Sequence, residues 1–173
     1  MSSIISHPFI PMALTAAFPP GTVSSDVALL GVLCSIVPDL DVIGFLFGIR
    51  YADRLGHRGL THSVFFAISL SALLAFFFFQ DGDGSRAAIL LFLFLSTLSH
   101  PLLDAMTDGG LGVAFFAPFD HKRYFLPWRP IAVPPIGIGA FFSARGWQVM
   151  KSELRWIWLP SIAMFLIAHM LRW

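Results

Sequence analysis

Charge is scarce in this 173-residue sequence. Only 12% of the residues are Asp, Glu, Lys or Arg, about half the share of a soluble globular domain. A hydrophobic fraction of 57% and a mean hydropathy of +0.78 leave too little polarity to clothe a water-facing surface. The expected solvent for much of that surface is lipid. Cysteine is scarcer still: the single Cys34 excludes an internal disulfide and a Cys-type zinc site, and its place in the apolar run 27–37 reads as packing. A net charge of +1, with no stripe of Lys and Arg interleaved with aromatics, argues against a nucleic-acid partner. No Lys or Arg precedes Arg50, so the basic start of a secretory leader is missing, no cleaved leader is expected, and His7 belongs to the mature chain.

Apolar runs are what the chain has in excess. Residues 63–79 and 87–103 carry no Asp, Glu, Lys or Arg and are long enough, or nearly so, to cross a hydrocarbon core of about 30 Å. The polar, Gly-rich segment 80–86 between them predicts an antiparallel helical hairpin. Residues 156–171 are a third candidate, with tryptophans at its start and Trp173 beyond its end as interfacial anchors. The pieces 8–18, 27–37, 42–49, 111–119 and 131–144 are too short to span alone and read as buried, re-entrant or interfacial segments. Pro127, Pro130, Pro134 and Pro135 mark an irregular stretch along the membrane surface. The expected architecture is all-α: one domain, 1–173, an integral-membrane helical bundle with short or broken helices around a site.

Against this background the ionisable residues are informative, because an Asp or His inside an apolar segment costs several kcal/mol unless it is paired or bound. His7 opens HPFIPMAL, Asp39 and Asp41 sit in SIVPDLDVIGF, His57 and His62 in GHRGLTHSVFF, and His100, Asp104 and Asp108 in LSHPLLDAMTDGG. The hairpin brings His57 and His62 to the same end as His100 and Asp104. Those last two are four apart on one helical face, with Pro101 expected to kink the helix or begin a new turn. Pairing of 8–18 with 27–37 around Pro19-Pro20-Gly21 returns His7, Asp39 and Asp41 to that end. Imidazole and carboxylate together are the ligand set of Zn²⁺, with Mn²⁺ or Fe²⁺ possible, and the excess of ligands over one tetrahedral ion favours two metals. The cluster fits membrane phosphoester hydrolysis by metal-activated water.

The strings PDLD, GHRGLTHS and SHPLLDAMTDGG, with the early His, resemble a family of bacterial inner-membrane metal-dependent hydrolases whose best-known member is controlled by the SOS repressor. The resemblance runs to about Pro127. That family is similar in turn to the zinc-dependent phospholipase C and single-strand nuclease superfamily. The resemblance implies metal ligation by His7, Asp41, His57 or His62, His100 and Asp104, with Asp104 bridging two ions. It implies neither a third zinc nor nuclease activity, since the processed N-terminal ligand of that superfamily has no counterpart here.

Asp39 reads as a ligand, as an orienting group behind Asp41, or as the acid that protonates the leaving oxygen. Arg58 reads as a clamp for a phosphate oxygen or as a positive-inside anchor. The run Asp120-His121-Lys122-Arg123 reads as solvated interfacial charge, His169 as structural, and 76–79 as lipid-facing bulk. A site at head-group level points to a lipid or lipid-linked substrate in the inner membrane, crossed several times by the chain. The rivals are a divalent-metal transporter, whose site belongs near the bilayer midplane, a lipid phosphatase with a nucleophilic His, whose arginine-rich phosphate pocket has no counterpart before His100, and a non-catalytic membrane protein stapled by its metal. Arg50, Arg54 and Arg58, with Lys122, Arg123 and Arg129, gather on the ligand face, which favours a cytoplasmic site.

Overall fold

A computed structural model of the protein describes residues 2–79, 86–134 and 143–171. Its described residues are helical or irregular; they form no strand, only isolated bridges pairing Thr107 with Ile131 and Val113 with Tyr124. The helices are α1 (Phe9–Leu14), α2 (Ser25–Cys34), α3 (Val64–Phe78), α4 (Arg86–Ala105), α5 (Ala144–Glu153) and α6 (Leu159–Met170), and the all-α expectation holds. Turns of 3₁₀ helix cover Thr15–Ala17, Val37–Phe47 and Leu60–His62, and a π-helical turn, Leu154–Trp158, joins α5 to α6.

Helix starts follow local chemistry. Ser24 caps α2 by accepting from the Val27 amide (3.3 Å), and Ser63 caps α3 by accepting from Phe66 (3.0 Å). These hydroxyls satisfy amides that the first turn leaves unpaired. Helix α4 is the axis of the bundle and packs against α1, α2 and α3. Its buried Ile89, Phe92 and Leu93 meet Phe18, Val27 and Cys34, so Cys34 is core packing. Gly31 permits that contact, because a Cβ there would lie 2.5 Å from the Phe92 ring. A second core, Leu103, Ile131 and Ile157, holds the irregular stretch 127–134 and the π turn against the C-terminal end of α4. The outer face carries bare hydrocarbon: Phe76, Phe77 and Phe78 are 66–69% exposed. In water that would be a costly patch; beside acyl chains it is the expected surface.

The spans differ from the sequence reading in three places. Residues 25–47, read as two short pieces, form a continuous helical stretch of 23 residues with mean hydropathy 2.0, long and apolar enough to cross a membrane. Its α2 half passes into 3₁₀ geometry just before Pro38, whose missing N–H suits a helix start. Arg86–Ala105 meets the same test, whereas α3 has 15 residues, about 22 Å of helix, and falls short alone. The third candidate, 156–171, divides between the π turn and the 12-residue α6. Pro101 lies inside a continuous α4 rather than opening a new turn. Helices α3 and α4 pack together as the hairpin requires. Residues 80–85, Pro135, most of 131–144 and Trp173 lie outside the described residues.

Candidate metal centre

The ends of these elements deliver the polar residues to one buried place. The 3₁₀ stretch after α2 supplies Asp39 and Asp41, the turn before α3 supplies His57, Arg58 and His62, and the last turns of α4 supply His100 and Asp104. Asp39 is 3% exposed, and His62, His100 and Asp104 are fully buried. One ligand atom from each of these four lies within 4.8 Å of the others.

The hydrogen bonds behind the rings decide what they present. His100 places Nδ1 at 2.7 Å from the Ser35 carbonyl, which can only accept, so Nδ1 carries the proton. His62 places Nδ1 at 3.2 Å from Asp41 Oδ2 and 3.1 Å from Thr61 Oγ1, and Thr61 donates its own proton to Asp41 (2.7 Å). His62 Nδ1 is therefore a donor as well. Both Nε2 atoms are left with lone pairs, and they face each other at 3.1 Å. Asp39 Oδ1 is 3.3 Å from His100 Nε2 and 3.7 Å from His62 Nε2, and neither Asp39 oxygen receives a hydrogen bond among the described residues. Asp104 Oδ2 lies 3.5 Å from His62 Nε2. Two facing lone pairs and two buried carboxylates need a cation between them. A proton on His62 meets part of that need. Burial alone would lower its pKa, yet Asp104, Asp39 and Asp41 outweigh burial and raise it to about 10. A divalent metal meets the need more fully, and the imidazole–carboxylate donor set is one that Zn²⁺, Mn²⁺ and Fe²⁺ accept.

The remaining sequence candidates surround this group. His7 is fully buried and stacks on His100 with ring centroids 3.7 Å apart, but its Nε2 is bonded to Ser2 Oγ (3.0 Å) and stays 4.0 Å from Asp104 Oδ1. Burial and the neighbouring His100 lower its pKa to about 3, so it is neutral. Asp41 and His57 form a second group with His62, joined by a 2.7 Å contact between His57 Nδ1 and Asp41 Oδ1. Asp39, then, shares the four-residue group in the place that the resemblance gives to Asp41, and Asp41 stands behind His62. His57 Nε2 is buried without a hydrogen-bond partner.

Arg58 is neither a surface anchor nor free to clamp a phosphate. It is fully buried; Nε lies 3.1 Å from Asp104 Oδ2, and the other nitrogens donate to Thr107 Oγ1 (2.9 Å) and the Gly109 carbonyl (3.1 Å). Its backbone is left-handed, with φ at 64°, a conformation non-glycine residues seldom adopt. Asp108 lies outside the group, half-exposed, accepting from the Val133 amide. Arg123 is not solvated charge: it donates to the carbonyls of His57, Tyr51 and Asp53 and staples the site-bearing loop. Two of the cations counted toward orientation are thus internal. His169 sits on α6, exposed and stacked on Phe165.

Sequence reasoning missed a neighbouring polar node. Glu153 is fully buried and accepts from the Ser3 amide, the Ser3 hydroxyl and the Ser6 hydroxyl, while Trp158 Nε1 donates to Ser6 Oγ (2.7 Å). The same N-terminal segment reaches the candidate centre, where the Ser2 amide donates to Asp104 Oδ1 (2.8 Å). The signal was available, since Glu153 is the single glutamate of the chain.

No solved structure matches this chain. It is 35% identical to the inner membrane protein YbcI of Escherichia coli strain K12 over 173 residues, covering 100% of this chain and 98% of that protein. The description of the YdjM inner membrane proteins matches residues 1–173, which include every residue of the cluster. The chain is therefore an inner membrane protein and belongs to the YdjM family.

Proposed function

We propose that this protein is a multi-pass, metal-dependent hydrolase of the inner membrane, acting on a phosphoester of a lipid or lipid-linked substrate. The observation that carries the metal reading is the pair of imidazoles whose protons are committed to Ser35 and Asp41, leaving two Nε2 lone pairs facing each other beside Asp39 and Asp104. These four residues would hold one ion, Zn²⁺ by preference. Bound divalent metal supplies Lewis acidity toward a phosphoryl oxygen and lowers the pKa of water. The chain's own part is orientation: Asp41 and the Ser35 carbonyl fix the two rings, as second-layer partners of ligating histidines do. Arg58 fixes Asp104. Membership of an inner-membrane family and the two crossing-length helices support a lipid substrate.

A specific observation favours a second reading. With exposures of 0–3%, the four-residue group is as closed as a structural metal site, which would make the ion a staple. One experiment separates the two: head-group or phosphate release from a panel of phospholipids and polyprenyl phosphates, with and without chelator, for wild type and Asp39→Asn. Chelator-sensitive release abolished by Asp39→Asn supports the hydrolase. Metal-loaded protein that unfolds on chelation and releases nothing from the whole panel establishes the staple, and metal uptake into liposomes without hydrolysis establishes a transporter. The multi-pass reading is checked by single cysteines at Thr22 and Leu55 in a Cys34→Ser background; labelling of both from the same side removes the 25–47 crossing.

A further inference from the structure

Beside the candidate centre, the elements that follow α4 assemble a group of cations and indoles that the metal site does not use. Ser152 Oγ donates to the Pro130 carbonyl (3.1 Å) and accepts from the Ala132 amide (2.9 Å), which docks the irregular stretch 127–134 on α5. Trp128 thereby meets Trp156 edge to face, with ring centroids 4.9 Å apart. Arg155 lies over Trp156 at 4.9 Å, and Lys151, one turn earlier, lies over Trp147 at 5.3 Å. Arg129 follows Trp128 and covers Phe125 at 4.7 Å. The result is a collar of ring-backed cations, Arg129, Lys151 and Arg155, all exposed. Among the described residues none of Arg129, Lys151 and Arg155 has a carboxylate partner, whereas nearby Arg145 has Asp108 at 3.6 Å. The adjacent Glu153 is turned inward to Ser3 and Ser6. The collar's indoles also differ from their neighbour: Trp158 spends its N–H on Ser6, while the N–H groups of Trp128, Trp147 and Trp156 donate to no described residue.

Unneutralised cations laid on amphipathic rings, in an inner membrane protein, form a surface complementary to one component of its surroundings. We propose that this collar binds the anionic head groups of membrane phospholipids, the cations taking the phosphates and the indoles lodging at the boundary with the acyl chains. It lies at the ligand end of the bundle, since Ile131 and Ile157 pack on Leu103 and the Leu126 amide donates to the Ala105 carbonyl. The collar therefore sets the C-terminal end of α4 at head-group depth. The assignment stands on its own contacts and survives if the hydrolase reading fails.

The test uses the full chain in neutral detergent, titrated with phosphatidylglycerol or phosphatidylcholine, with retained lipid counted by mass spectrometry and binding followed through quenching of tryptophan by brominated lipid. Wild type should retain phosphatidylglycerol in preference. Arg129→Gln, Lys151→Gln and Arg155→Gln should each reduce that preference roughly fivefold, and added salt should weaken it. Arg129→Lys with Arg155→Lys should keep it, as should Arg50→Gln, an exposed cation outside the collar already paired with Asp53. Metal content should stay constant throughout, which separates this result from any failure of the metal reading. Equal retention of both lipids by wild type, an unchanged preference in the triple glutamine variant, or displacement of the lipid by inorganic phosphate at equal concentration would each overturn the assignment.

Discussion

His62 and His100 point their Nε2 atoms at each other across 3.1 Å while their Nδ1 atoms are held from behind by Asp41 and by the Ser35 carbonyl. This arrangement divides the buried polar residues into groups that would touch an ion and groups that would aim them, and it assigns Asp39 and Asp41 to different sides of that division.

Metal affinity should follow the division. His100→Ala removes one of two facing nitrogens and should abolish high-affinity Zn²⁺ binding. Asp41→Ala leaves the four-residue group intact but frees the His62 ring, so affinity should fall roughly 10–100-fold. Asp108→Asn, outside the group, should change nothing. Isothermal titration of chelator-stripped protein reads all three; equal losses for Asp41→Ala and His100→Ala would remove the distinction between touching and aiming.

The metal-free protein should be most stable near pH 6.5. The His62 pKa is raised to about 10, so its contribution is fully present below about 6.5 and is lost as pH rises through about 10. The His7 pKa is lowered to about 3, so the folded state refuses a proton that the unfolded chain accepts, and stability falls as pH drops from 6.5 toward 3. Zn²⁺ replaces the proton on His62 and should restore stability on the alkaline side only. Thermal unfolding in detergent across pH, with and without Zn²⁺, measures this, and a monotonic profile for metal-free protein would contradict it.

Arg58→Ala should destabilise the fold by about 3–5 kcal/mol, because it takes the guanidinium from the buried Asp104 carboxylate and from the Thr107 and Gly109 oxygens. A substrate clamp would behave otherwise, losing affinity for substrate at constant stability. Denaturant unfolding distinguishes them. Arg58→Gly relieves the left-handed backbone and removes the same ion pair, so it should be somewhat less damaging than Arg58→Ala.

Glu153→Ala leaves one amide and two hydroxyls without an acceptor and should cost about 1–3 kcal/mol for each group that water cannot reach. Glu153→Gln should recover part of the loss. Gln148→Ala, exposed on the same helix, should stay within about 0.5 kcal/mol of wild type by the same unfolding measurement.

The helical architecture and the meeting of distant clusters were legible because each expensive group stood alone in hydrocarbon and the α3–α4 pairing fixed which ends adjoin. The choice between Asp39 and Asp41 was not. Two positions apart in a 3₁₀ stretch, their side chains point about 120° apart at three residues per turn, and composition carries no trace of that angle. Arg58 was misread because a cation between two histidines looks like a ligand-facing group, while its partners Thr107 and Gly109 lie some fifty residues on. Glu153 was not singled out, since its burial comes from serines 150 and 147 residues earlier. The helical stretch 25–47 was divided at Pro38 because a proline that opens a 3₁₀ turn is indistinguishable in sequence from one that ends a helix.

The separation of the four-residue group along the chain also sets an order of events during synthesis. Asp39 and His62 emerge first, and His100 and Asp104 only when α4 is nearly finished, so during translation the early pair waits in the bundle without its counterpart. The Ser2 amide, made before any of them, cannot find Asp104 until 102 residues later. The centre is thus closed by the return of α4 and by the N-terminal segment folding back onto it, so an ion that needs all four residues would bind only after α4 has been made.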